Sequence, residues 1–128
     1  MVITSFSTKI HFGIENQNNN RAYVTSSEAP LNKWSYVVAT WDGEQMTIYF
    51  NGKNNDTQLQ NGVLSSSRAF HICDSGTNSF HGYIDQVRVY KAALTASQIK
   101  QQYYTGLHRL YKKGLISREE YIKRIVQK

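Results

Sequence analysis

Two strands joined by a tight turn and closed by a second turn are predicted by the stretch Trp34-Ser-Tyr-Val-Val-Ala-Thr-Trp-Asp-Gly-Glu-Gln-Met-Thr-Ile-Tyr-Phe-Asn-Gly-Lys53. Its first half is aromatic and β-branched on both alternating faces, as expected where two sheets stack. From Met46 onward, apolar residues alternate with more polar ones, which is typical of a strand with one wetter face. Asp42-Gly43 and Asn51-Gly52 suit hairpin turns, because glycine accepts positive φ at no steric cost and Asn or Asp tolerates it.

Similar strand-like runs recur through the first ninety residues, separated by clusters of Asn, Ser, Gly and Asp. They cover residues 9–14, 21–25, 34–41, 45–51, 69–73 and 80–90. The long polar connections at 15–20 and 54–67 suit an antiparallel sandwich, since parallel strands would need helices between them. The sequence therefore predicts an all-β body.

The pattern changes to helical spacing in the last third of the chain. Thr95-Ala-Ser-Gln98 has the form of a capping box, and it is followed at helical spacing by Ile99, Tyr103 and Leu107. A second capping box lies at Ser117-Arg-Glu-Glu120, after a turn containing Gly114. We therefore expect a C-terminal helical hairpin. So short a hairpin is not stable alone, and it should pack on the sandwich or on another copy of the chain.

The net charge of +6 is concentrated in the tail. Residues 1–106 hold eight basic and seven acidic residues, giving +1, whereas residues 107–128 hold seven and two, giving +5. A body near neutrality has no clustered positive surface, so we expect no nucleic-acid partner. The basic tail residues are interpreted as the solvent-facing sides of two amphipathic helices, with contact to an anionic surface as the alternative.

The length of 128 residues suits one domain with an appendage: a sandwich over residues 1–106 and a basic helical tail over 107–128. No stretch approaches the roughly 18 apolar residues needed to cross a bilayer, so no membrane span is expected. Cys73 is the only cysteine, which excludes an internal disulfide.

Four ordered blocks resemble the laminin G-like, or concanavalin A-like lectin/glucanase, jelly-roll modules of bacterial surface and secreted proteins. The blocks are Trp34-Ser-Tyr-Val-Val-Ala-Thr-Trp-Asp-Gly43, Ile48-Tyr-Phe-Asn-Gly-Lys53, Phe80-His-Gly-Tyr-Ile-Asp-Gln-Val-Arg-Val-Tyr90 and Ala93-Leu-Thr-Ala-Ser-Gln-Ile99. The resemblance covers residues 8–106. It implies an antiparallel two-sheet jelly-roll sandwich, here followed by the helical hairpin, and an extracellular or cell-surface location.

The position of the hairpin departs from that family, because only 33 residues precede Trp34. Several N-terminal strands of the family are therefore expected to be missing, which would leave unpaired edges and an open core that invite association. We expect a homo-oligomer. The alternative is a compact monomer in which residues 1–7 and the tail cover the edge.

The resemblance also directs the search for sites. Glucanases of this architecture carry Glu-x-Asp-x-x-Glu on a strand, and because this sequence lacks it we expect no enzymatic activity. A sugar site needs an aromatic platform and polar groups that fix hydroxyls, and two loop regions are candidates: one offers Asp74, Asn78, His81 and Tyr83, and the other is the stretch at residues 15–20. The alternative for these residues is an ordinary solvated turn.

Asp85 is the candidate metal ligand. Strand alternation places it on the same face as Val87 and Val89, which is the inward side if those valines belong to the core, and a carboxylate there needs partners. It is interpreted either as a structural acceptor for nearby donors or, as the resemblance implies, as a ligand of a structural Ca²⁺.

Together these observations predict a non-catalytic, lectin-like module that binds a glycan on a bacterial surface, secreted or pilus-associated protein. The alternative is a structural or adhesive domain that makes protein–protein contacts and binds no sugar.

Overall fold

The computed structural model describes the backbone of residues 2–6 and residues 9–67, 69–72 and 80–127 in full. Within these ranges the chain forms strands followed by helices: β1 (Val2–Phe6), β2 (Lys9–Glu15), β3 (Arg21–Thr25), β4 (Val37–Trp41), β5 (Gln45–Phe50), β6 (Lys53–Leu59), β7 (His71–Ile72), α1 (Ala96–Lys112) and α2 (Arg118–Val126).

The strands form two sheets, with the orders β3-β2-β1-β7 and β4-β5-β6. Neighbours are antiparallel except for β1 and β7, which pair in parallel over two residues. The predicted two-sheet sandwich followed by a helical hairpin is confirmed. β1 is an addition to the prediction, and it lies between β2 and β7 rather than at an edge.

The hairpin of β4 and β5 forms as the sequence predicts, in the register Val37↔Phe50 to Trp41↔Met46. The Asp42 carboxylate accepts hydrogen bonds from the backbone N–H groups of Glu44 and Gln45 at 3.0 and 2.8 Å, which fixes the first turn. Asn51 and Gly52 both have positive φ, 49° and 80°, as a two-residue primed turn requires. This second turn leads directly into β6.

Most of β6 falls in the stretch 54–67 that the sequence pattern indicated as a polar connection, and that interpretation is wrong for residues 54–59. The segment Lys-Asn-Asn-Asp-Thr-Gln-Leu lacks the β-branched and aromatic residues that mark a strand. The primed turn and the ladder to β5 form the strand instead. At its bulge, Asp56 accepts a hydrogen bond from the backbone N–H of Thr25 at 2.9 Å, so β6 is fastened to the end of β3.

The core lies between the two sheets. Its buried members are Phe12, Ile14, Val24, Met46 and Ile48. Partly buried residues of β2, β3 and β4 pack around them, among them Ile10, Ala22, Val37, Ala39 and Trp41. The core therefore joins the hairpin of β4 and β5 to the opposite sheet.

The first predicted capping box is confirmed in full, whereas only half of the second forms, because Ser117 accepts from the Glu120 N–H while the Glu120 carboxylate bonds Arg124 instead. Thr95 accepts from the Gln98 N–H at 3.2 Å while the Gln98 side chain accepts from the Thr95 N–H at 2.9 Å. Gly114, with φ of 70°, follows α1, and Ser117 caps α2. The expected boundary between residues 106 and 107 falls inside α1, which continues without a break to Lys112. Neither helix of the described chain has the length and apolar character needed to cross a bilayer.

α1 packs on the sandwich through its predicted apolar positions, Ile99, Tyr103 and Leu107, which are buried. The Tyr103 ring closes over the second turn, where a Cβ on Gly52 would lie 3.0 Å from the ring. α2 packs on α1 through Tyr111 and Tyr121, whose rings stack with centroids 4.9 Å apart.

The predicted strand at residues 80–90 is absent from the structure, which places this segment outside both sheets. Gln86 has φ of 59°, and a positive φ at a non-glycine residue interrupts an extended strand. The predicted strand at 69–73 is reduced to His71–Ile72, and Cys73 lies outside the described residues.

We expect Ile48→Ala to lower the free energy of unfolding by about 2–5 kcal/mol, because Ile48 is fully buried and its loss leaves a cavity in the shared core. Leu59→Ala in β6 is the matched control. Leu59 is 72% exposed, and its truncation should change stability by no more than about 0.5 kcal/mol. Urea denaturation of both variants measures the difference, and equal losses would contradict the assigned core.

Candidate functional site

The predicted sugar-binding residues divide into two pairs. Asp74 and Asn78 lie outside the described residues. His81 and Tyr83 lie on the segment of residues 80–90, and both are exposed, Tyr83 to 88%. A tyrosine ring this exposed is accessible to a ligand from solvent.

The exposed segment, residues 80–90, presents apolar side chains as well as Tyr83. Phe80, Ile84, Val87, Val89 and Tyr90 are all exposed. The prediction that the two valines face a core is therefore wrong. Without a partner strand in the described chain, the alternation of the segment does not produce an inner and an outer face.

The inward position predicted for Asp85 is wrong for the same reason. Asp85 is exposed, and its carboxylate accepts a hydrogen bond from the backbone N–H of Gln86 at 2.8 Å. No group of three His, Cys, Asp or Glu side chains in the described residues has a geometry that holds a metal ion. The Ca²⁺ ligand role of Asp85 stays a prediction.

The end of the exposed segment is tied to α1. Gln102 accepts a hydrogen bond from the Tyr36 hydroxyl at 2.9 Å and donates to the Tyr90 hydroxyl at 3.2 Å. Burial raises the pKa of Tyr36, whereas a hydrogen bond from Arg88 is the main cause that lowers the pKa of Tyr90. The amide of Gln102 thus links Tyr90, at the end of the exposed segment, to Tyr36 just before β4.

A separate cleft of about 390 Å³ lies between the sandwich and the helical hairpin. The sandwich contributes the connection of β3 to β4, the second turn and the start of β6, and the helices contribute the other side. The lining residues are Ser27, Pro30, Lys33, Phe50, Asn51, Lys53, Asn54, Asn55, Tyr103, Glu120, Lys123, Arg124 and Gln127. We call this the hairpin cleft.

Arg124 attaches α2 to the sandwich at the edge of the hairpin cleft. Its guanidinium donates to the Trp34 carbonyl at 2.6 Å and to the Glu120 carboxylate at 2.8 Å, and its side chain is only 10% exposed. Lys33 lies 3.7 Å from the same carboxylate. The hydrogen bond from Arg124 is the main cause that lowers the pKa of Glu120.

The sequence patterns did not predict the hairpin cleft, because its residues come from four separate parts of the chain. One local signal was available. Glu120, Lys123, Arg124 and Gln127 have the spacing that places them on one face of a helix, and that face turns out to line the cleft.

The comparison with protein families settles the family. A model described as the Concanavalin A-like lectin/glucanases superfamily matches residues 3–100. The chain belongs to this superfamily. The match confirms the resemblance seen in the sequence. It ends within α1, so the helical side of the hairpin cleft is contributed by residues outside the matched range.

Among solved structures, the chain is similar to an S-layer domain-containing protein, residues 221–444, from Clostridium thermocellum ATCC 27405. The two share 26% sequence identity with a TM-score of 0.45, and the similarity covers 74% of this chain. The chain spans about half of that structure, 51%. No curated protein matches the chain.

The ion pair of Glu120 predicts a pH dependence. The pKa of Glu120 is lowered in the folded state. The ion pair therefore contributes to the free energy of unfolding above the unfolded-state pKa of Glu120, and this contribution is lost as the pH falls through the folded-state pKa. Glu120→Gln should therefore destabilise the protein by roughly 0.5–1 kcal/mol near neutral pH, and this destabilisation should shrink as the pH falls below the ordinary pKa of a glutamate, about 4.3.

Thermal melts of wild type and Glu120→Gln across this pH range measure the difference. Glu119→Gln, which removes an exposed carboxylate from the same helical turn, is the matched control. A difference that stays constant with pH, or that Glu119→Gln reproduces, would show that the pair with Arg124 is not its source.

Proposed function

We propose that this chain is a non-catalytic, carbohydrate-binding module of a bacterial surface, secreted or pilus-associated protein. Membership of the concanavalin A-like superfamily supports a surface module. The observation that carries the proposal is the exposed ring of Tyr83, which follows the exposed His81 by two residues. An exposed aromatic face with polar neighbours is the arrangement on which a sugar ring stacks while its hydroxyls are hydrogen-bonded.

In this proposal Tyr83 is the platform and His81 bonds a sugar hydroxyl. Asp74 and Asn78 precede them in a polar loop, and their carboxylate and amide groups would fix further hydroxyls. The absence of Glu-x-Asp-x-x-Glu from the sequence supports binding without hydrolysis, since retaining hydrolysis needs two carboxylates about 5 Å apart.

The second candidate is an adhesive domain that makes protein–protein contacts, including contacts between copies of this chain. The observation that favours it is the run of exposed apolar side chains on the exposed segment. Such a run is typical of surfaces that associate. In this candidate Tyr83 and its neighbours contact a protein rather than a sugar.

Tyr83→Ala should abolish or weaken glycan binding about tenfold or more, because stacking on one aromatic ring contributes on the order of 1–2 kcal/mol. Tyr83→Phe keeps the ring and should retain most of the affinity. Tyr23→Ala, which removes another exposed tyrosine from β3, is the control for non-specific loss. A glycan array with each variant makes the measurement.

Equal binding by Tyr83→Ala and wild type would contradict the platform. Wild-type protein that binds nothing on the array but forms concentration-dependent oligomers in light scattering would favour the adhesive candidate. Replacing Val87 and Val89 by Ser should then reduce the oligomer, because both exposed side chains would be part of the contact.

The proposed structural Ca²⁺ at Asp85 has a simple test. Added Ca²⁺ should raise the melting temperature of the chelator-treated wild type but leave Asp85→Asn unchanged, because only the carboxylate supplies an anionic oxygen ligand. Asp42→Asn, at an exposed turn, is the control. A melting temperature that is unaffected by chelator and Ca²⁺ would remove the ion from the proposal.

A further inference from the structure

The hairpin cleft contains more positive charge than its own acid neutralises. Its lining includes four cationic side chains and one carboxylate, that of Glu120. Arg124 and Lys33 already contact this carboxylate, at 2.8 and 3.7 Å. In the described part of the chain, neither Lys53 nor Lys123 forms an ion pair. The cleft thus presents two exposed ammonium groups that contact no carboxylate in the described residues, although Lys123 attracts the Glu120 carboxylate from beyond ion-pair distance.

Uncharged hydrogen-bonding groups line the cleft together with these lysines. Among the amides of the lining, Asn51 and Asn55 bond the backbone N–H groups of Tyr36 and Ser27. Asn54 and Gln127 have no such bond to the described residues. Their side-chain amides both donate and accept, which suits a ligand rich in hydroxyl groups.

The bulge in β6 accounts for the density of polar groups on the sandwich side. Residues of a regular strand alternate between two faces. Because the bulge inserts Asn55 opposite the step from Ile48 to Tyr49, three consecutive residues of β6, Lys53, Asn54 and Asn55, all line the cleft. Bulges that re-aim side chains in this way are frequent beside binding sites.

Two aromatic residues also line the cleft. Phe50 at the end of β5 and Tyr103 of α1 both contribute to the lining, and Tyr103 is held in place by its contact with the second turn. An aromatic face beneath polar groups accepts the apolar face of a sugar ring. The volume of about 390 Å³ falls within the range typical of small-ligand clefts.

We propose that the hairpin cleft binds an acidic saccharide. Its anionic group, a carboxylate or a sulfate, lies between Lys53 and Lys123, its hydroxyls bond Asn54 and Gln127, and its ring contacts Phe50. A nucleic acid would need a longer run of cations along its phosphates than two lysines provide. No residue of the exposed segment lines this cleft, so the site is distinct from the Tyr83 platform and does not depend on it.

Isothermal titration of the full chain tests the proposal with four probes of similar length: a uronic acid oligosaccharide, a sulfated oligosaccharide, a neutral oligosaccharide and a glutamate-rich peptide. We expect one or both acidic saccharides to bind, and the neutral one and the peptide to bind at least about tenfold more weakly. The ranking of the two acidic saccharides identifies the anion.

Lys53→Gln combined with Lys123→Gln should weaken binding of the acidic saccharide about tenfold or more, because both charge-assisted hydrogen bonds are lost. Lys112→Gln combined with Lys113→Gln is the matched control. It removes the same charge from exposed positions that do not line the cleft, and it should leave affinity within about twofold of wild type, as expected for distant charges in salt.

Replacing both cleft lysines by Arg keeps the charge and should retain binding, and thermal melts verify that each variant folds. The proposal is overturned if no acidic saccharide binds, if the peptide binds as tightly, or if the control pair weakens binding as much as the cleft pair. The cleft pair separates the two sites, because Lys53→Gln combined with Lys123→Gln should lower the affinity for the acidic saccharide in a protein whose Tyr83 is unchanged.

Discussion

The packing of Met46 and Ile48 against Phe12, Ile14 and Val24 is the contact on which the rest of the structure depends. It is the place where the two sheets meet, and few side chains share it. Burial of this kind is the main favourable term in folding, so a small core must be supported by other contacts. Here those contacts are concentrated at the end of the hairpin of β4 and β5 that lies nearest the helices.

The second turn and the residues before β4 hold both helices. Gly52 has no side chain, so the ring of Tyr103 can close over the turn and fix α1. The carbonyl of Trp34 accepts from the buried guanidinium of Arg124 and fixes α2. The same hairpin that supplies the core therefore also sets the position of the helical pair, and the hairpin cleft forms between them.

The parts of the fold that the sequence predicts correctly are those with a local cause. Alternation with dense β-branched and aromatic residues predicts β2, β3, β4 and β5, and side chains that cap their own helix predict α1 and α2. β6 was missed because its turn and its partner, rather than its residues, make it a strand. Residues 80–90 show the converse: their pattern is typical of a strand, but a strand also needs a neighbour to pair with.

The candidate sites divide in the same way. His81 and Tyr83 could be selected from the sequence because they lie close together in one short segment, and both are exposed. The hairpin cleft combines residues from position 27 to position 127, and no local pattern indicates that they meet. Asp85 illustrates the dependence of a side-chain prediction on the secondary structure. Its inward position was expected only if residues 80–90 formed a strand, and they do not; its carboxylate instead accepts from the Gln86 N–H.

The basic residues of the tail occupy different environments in the structure. Arg124 is nearly buried and holds α2 on the sandwich, so its charge serves the fold. Lys112 and Lys113 are exposed at the end of α1, as expected for the solvent-facing side of a helix. Lys123 lines, together with Lys53, a cleft that neither the near-neutral sandwich nor the helical hairpin would form by itself. For the proposed saccharide site, the relevant quantity is therefore not the net charge of the chain but the charge without a contacting carboxylate where two parts of the chain meet.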